Sequence, residues 1–95
     1  MAAELRLEDF DGRIGETFEV GLDEASVPIR LTEAKPLRYG VREAGFFRLE
    51  WRGEPGRLLE QGTYPIRLPG GAVHDIFIVP IACDEEGARY EAIFN

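Results

Sequence analysis

Few residues in this chain could do chemistry, and their spacing is poor for it. The one histidine has a carboxylate beside it, His74-Asp75, which a general base and its orienting acid would use. Neighbouring residues of a strand point to opposite faces, so the two cannot share a hydrogen bond while the segment is extended. The pair follows Pro69-Gly70-Gly71-Ala72 and reads as a surface position at a strand start. Cys83 is the only cysteine, so no disulfide can form within the chain. A reactive thiolate wants a cation or a helix N-terminus nearby, whereas Cys83 precedes Asp84-Glu85-Glu86 and reads as a small, semi-buried apolar residue.

The other constellations fail on spacing. Neither Asp84-Glu85-Glu86 nor Asp23-Glu24 has the alternating oxygen ligands of a calcium loop. Gly70-Gly71 lacks the Gly-Lys-Ser/Thr that completes a phosphate loop. Eighteen acids always offer carboxylate pairs, so pairing by itself has no specificity. No catalytic, cofactor-binding or metal-ligating residue is assigned, and a non-enzymatic role is expected.

Charge is distributed more informatively. Ninety-five residues suffice for one domain, 1–95, and a net charge of −7 disfavours nucleic acid and anionic membrane as partners. Residues 38–67 carry six arginines against four acids, while residues 1–25 carry eight acids against two arginines. Arg30, Arg48, Arg52 and Arg67 fall at outward positions alongside Phe46 and Glu50, a composition enriched at protein interfaces. The competing reading is a solvated face laced with cross-strand arginine–glutamate pairs, each worth little.

The elements that must position these groups are short strands. Leu7, Phe10 and Ile14 have helical spacing, but Gly12 and Gly15 limit residues 1–15 to a short helical turn. From residue 16 to residue 95 the period is two. Phe18, Val20 and Leu22 alternate with polar residues, then Val27, Ile29 and Leu31, then Phe47, Leu49 and Trp51. Tyr64, Ile66 and Leu68 form the inner face of a fourth strand, and Tyr90, Ala92 and Phe94 that of a sixth. Lys35-Pro36 is expected to begin an irregular connection.

The fifth segment is apolar on both faces, with Ile76 and Ile78 on one side and Phe77, Val79 and Ile81 on the other. Either the N-terminal turn covers that second face, with Leu7 and Phe10 as the lid, or another subunit does. The resulting expectation is all-β: a six-stranded antiparallel small barrel or sandwich with a short N-terminal helical turn. The longest apolar run, Ile76–Cys83, is far short of the ~20 residues of a membrane span, and the acidic start lacks a signal-peptide pattern. A cytoplasmic location without membrane association follows as an expectation.

Leu7-Glu8-Asp9-Phe10, Gly15-Glu16-Thr17-Phe18, Gln61-Gly62-Thr63-Tyr64, Phe77-Ile78-Val79-Pro80 and Arg89-Tyr90-Glu91-Ala92-Ile93-Phe94-Asn95 resemble an uncharacterised family of small bacterial proteins of about this length. The resemblance carries no reaction, cofactor or catalytic residue. It implies an accessory structural role, with an association with phage-tail-like assemblies.

Two functional expectations stand together. The first is a non-catalytic protein-interaction or accessory module, contacting a protein partner or a second copy through Phe46, Arg48, Arg52 and Arg67 or through Phe77, Val79 and Ile81. The second is a small-molecule-binding barrel whose mouth is lined by Trp51, Tyr64 and Tyr90. A hydrolytic enzyme would have to use His74 or acids from separate strands.

Overall fold

In a computed structural model describing residues 4–95, six strands close an antiparallel barrel rather than a sandwich. They are β1 (Thr17–Gly21), β2 (Ser26–Pro36), β3 (Phe47–Gly53), β4 (Gly62–Arg67), β5 (Val73–Asp84) and β6 (Gly87–Phe94). Their order around the wall is β1-β2-β3-β6-β5-β4, and β4 returns to β1. The closing seam is short, pairing only Glu19 with Arg67 and Val20 with Ile66. Residues 1–3 of the expected N-terminal turn lie outside the described residues.

Period-two alternation fills the interior as expected. Phe18, Val20, Ile29, Leu31, Phe47, Leu49, Trp51, Ile66, Ile76, Ile78 and Tyr90 are all buried. Gly53 lets the Tyr90 ring lie flat against β3, since a Cβ there would stand 2.8 Å from that ring.

Two bulges adjust the pattern. In β2, Leu31 pairs with Trp51 but Glu33 pairs with Glu50, so Thr32 is the extra residue. In β5, Pro80 pairs with Tyr90 and Ala82 with Arg89, leaving Ile81 extra. The first bulge extends β2 through Lys35-Pro36, which correct the expected irregular connection by forming the strand's last two positions. The bulge makes this possible because it turns Ala34 toward the core and Glu33 and Lys35 away from it.

The expected short N-terminal helical turn is present as two 3-10 pieces, Leu7–Asp9 and Asp11–Arg13. The Asp9 carboxylate accepts the backbone N–H of Arg6 at 2.8 Å and closes the first. Between them Phe10 enters the barrel end, its ring centroid 6.1, 5.8 and 6.2 Å from those of Phe18, Phe47 and Phe94. The turns therefore plug the barrel and do not form the lid expected over Phe77–Ile81. Their contacts run to β2, and Phe77 and Ile81 stay 50% and 40% exposed.

Candidate functional site

Three surface features can be built from these elements: a charged wall, an apolar strip and a cleft at the plugged end.

The charged wall is the outer face of β2, β3 and β6. Register places Glu33, Glu50 and Glu91 in one row across the three strands. A second row holds Arg30, Arg52 and Arg89, and on the other side of the acids lie Lys35 and Arg48. Arg48 is the hub. Its Nη1 donates to Glu33 at 3.0 Å, its Nη2 to Glu50 at 2.8 Å and its Nε to Glu91 at 2.5 Å. Each nitrogen serves a different strand.

Glu50 is the most buried charged group, and Arg89 holds its carboxylate from Nε at 3.0 Å and Nη2 at 3.1 Å. The Arg89 hydrogen bonds draw the Glu50 carboxyl below its ordinary range; burial opposes them and Arg48 adds to them. Arg48 and Arg89 are correspondingly raised, each chiefly by its hydrogen bond to Glu50.

This wall regroups the expected arginine–aromatic surface. Arg48 and Arg52 belong to it, but Arg67 does not. Arg67 lies on β4, which two strands separate from β3 because β6 pairs between β3 and β5. Its guanidinium donates to the Gly71 carbonyl at 3.1 Å. Phe46 is not an exposed contact either. It precedes β3 and packs on Gly40, where a Cβ would stand 2.6 Å from its ring.

The apolar strip lies on the outer face of β5 and β6. Val79 stands opposite Glu91, which puts Phe77 and Ile93 at the neighbouring same-face positions. Ile93 is 45% exposed, and Ile81 bulges out at the far end. Ile93 carries no period-two signal of its own significance in the sequence; it gains one only through the β5–β6 register.

The expected ligand mouth is absent from the barrel. Trp51 and Tyr90 are fully buried core residues, and Tyr64 is half-buried. The Tyr90 hydroxyl accepts the Leu59 N–H at 2.9 Å and donates to the Arg57 carbonyl, pinning the β3–β4 loop. The Tyr64 hydroxyl donates to the Glu60 carbonyl at 2.7 Å. These polar tips hold a loop across the barrel end over the buried Trp51 and Tyr90 rings, while Tyr64 borders an outer concavity with Gly21, Leu22, Asp23, Thr63 and Pro65.

The cleft at the plugged end has a volume of about 290 Å³ and lies among Leu5, Asp9, Arg13, Leu68 and His74. His74 pairs with inward-facing Ile66, while exposed Asp75 pairs with Pro65, so the two point to opposite faces as the alternation requires. Cys83 is exposed and not semi-buried: it stands opposite Ala88 at the end of β5, next to the turn from Asp84 to Gly87. Among the described residues, no group of three His, Cys, Asp or Glu side chains could hold a metal ion, and no helix is long and apolar enough to cross a membrane.

Arg42 was not marked by the sequence. It donates to the Gly45 carbonyl at 2.8 Å and to the Leu5 carbonyl at 2.7 Å, and its guanidinium lies over the stacked rings of Phe47 and Phe94. It ties the N-terminal plug to the β2–β3 loop.

No curated protein and no solved structure matches the chain. Residues 5–94 match the model of a family described as a domain of unknown function, DUF6916, and the chain belongs to that family.

Proposed function

We propose that this barrel is a protein-interaction module without catalytic chemistry, and that it docks a protein partner through the outer face of β5 and β6. The observation that carries this reading is the run of Phe77, Val79, Ile81 and Ile93 on one wall, left open by an N-terminal segment that goes elsewhere. Exposed Phe77, Ile81 and Ile93 with half-buried Val79 favour burial against another surface, and the Arg48–Glu91 ion pair beside them supplies a polar rim. The filled interior favours this reading over a ligand carried inside the barrel. An accessory place in phage-tail-like assemblies is the setting that the motif resemblance suggests for it.

The test is to tag the protein in its native host and compare wild type with Phe77→Asp, Ile93→Asp and, on the neighbouring strand β4, Arg67→Glu. A stoichiometric partner that crosslinks to a photoreactive residue at position 77, and is lost in the first two variants only, supports the assignment. Retention of every partner by Phe77→Asp and Ile93→Asp, with both variants folded, overturns it. A native mass on the same samples separates a second copy from a different protein.

A further inference from the structure

The row of arginines on the charged wall is unevenly satisfied. Arg30 on β2 stands directly opposite Arg52 on β3, and Arg52 stands opposite Arg89 on β6. Like charges placed directly across a sheet repel. Arg89 resolves this with two short bonds to Glu50. Arg52 has only long pairings, 3.6 Å to Asp84 and 3.4 Å to Glu86, both with well-exposed acids. Arg30 is exposed and, among the described residues, has no carboxylate within 4.0 Å.

The same two arginines border a concavity of about 230 Å³, together with Thr17, Pro28, Glu54 and Glu86. Thr17 is the β1 partner of Arg30, so its hydroxyl continues the row of donors. A tetrahedral or planar oxyanion fits this donor set, since guanidinium forks match such groups with paired N–H bonds. An anion placed between Arg30 and Arg52 would also remove their mutual repulsion.

We infer that Arg30, Arg52 and Thr17 form an oxyanion-binding site for the phosphate or carboxylate group of a small ligand. Glu86, whose side chain is 82% exposed, is the built-in competitor: it rests on Arg52 until an anion displaces it. This site is on the β1–β2–β3 side of the barrel and does not depend on the apolar strip of β5 and β6.

The test follows the arginine Nε–Hε signals by NMR while inorganic phosphate or acetate is added to the full chain, with sodium chloride at matched ionic strength as reference. Saturable shifts at Arg30 and Arg52 are expected with at least one oxyanion, and the stronger arm tells a phosphoryl ligand from a carboxyl ligand. Arg30→Gln should weaken the binding about tenfold, the effect of losing a charge-assisted hydrogen-bond pair, and Glu86→Gln should tighten it. Shifts that chloride reproduces, or that persist unchanged in folded Arg30→Gln, overturn the site.

Discussion

Glu33 stands directly opposite Glu50 across β2 and β3, and one guanidinium, that of Arg48, holds both carboxylates. Two acids face each other because Thr32 is an extra residue in β2. Continuing the alternation from Leu31 without a bulge would point Glu33 and Lys35 into the barrel. The bulge turns them out, and the arginine between the acids converts a repulsive pair into an attractive triad.

Deleting Thr32 should therefore keep the register and parity of β2 on β3. The deletion places Glu33 directly after Leu31, where plain alternation already points it and Lys35 outward, and chemical denaturation should still find a cooperative transition. Thr32→Ala keeps the bulge and loses only the hydroxyl's bond to the Glu50 carbonyl, 3.1 Å long, at a cost of about 1 kcal/mol. Loss of cooperative unfolding in the deletion variant would disprove the parity argument.

Acid should weaken the wall through Glu50. Its carboxyl is held below the ordinary value in the folded protein, so its contribution is present above the unfolded value of about 4.3 and is lost as pH falls through the lower folded value. Denaturant midpoints measured from neutral pH downward should drop over that window. In Glu50→Gln the drop should be shallower, and an identical slope in both proteins would refute the assignment.

Gly87 should be irreplaceable. It turns β5 into β6 with φ of +126°, and a Cβ there would stand 2.0 Å from the Gly53 carbonyl oxygen. Gly87→Ala must move backbone and should cost roughly 3 kcal/mol or more, within the range of strained and overpacked sites. Gly56, with φ of +79° and open space around its Cβ position, isolates the backbone effect, and Gly56→Ala should cost only about 1 kcal/mol. Equal melting temperatures for the two variants would contradict the steric account.

Phe10 should behave as core, although it belongs to the N-terminal turns. Phe10→Ala removes a fully buried ring packed among Phe18, Phe47 and Phe94, and should cost about 3–5 kcal/mol in denaturant unfolding. Leu7→Ala, at a half-buried position, should cost clearly less. If both changes are mild, the turns are an appendage and not a plug.

Tyr90→Phe tests the loop pin. The hydroxyl is the acceptor for the Leu59 N–H, and removing it leaves that buried donor unpaired at a cost of about 1–3 kcal/mol. Hydrogen exchange at Leu59 should quicken in the variant before any global change, and unchanged protection there would count against the pin.

Local alternation marks the strands and most of their faces. Phe18 and Val20, Leu49 and Trp51, Ile76 and Ile78 were legible as core because a half-buried strand repeats every two residues, whichever strand it pairs with. The same alternation keeps His74 and Asp75 from cooperating. Pairing decided the rest. Phe46, Arg48, Arg52 and Arg67 looked like one surface because their segments follow one another in the chain; β6 inserted beside β3 and sent Arg67 to the other side. Trp51 and Tyr90 looked like a ligand mouth because large aromatics suit either a pocket or a core, and only closure of the wall made them core. The Thr32 bulge, the Arg48 triad, the open Arg30–Arg52 pair and the bond of Arg42 to Leu5 all join residues between 15 and 43 positions apart, apart from Glu50 beside Arg48. Local periodicity carries no information about such distances. They are fixed by the register in which six strands can close around one aromatic core.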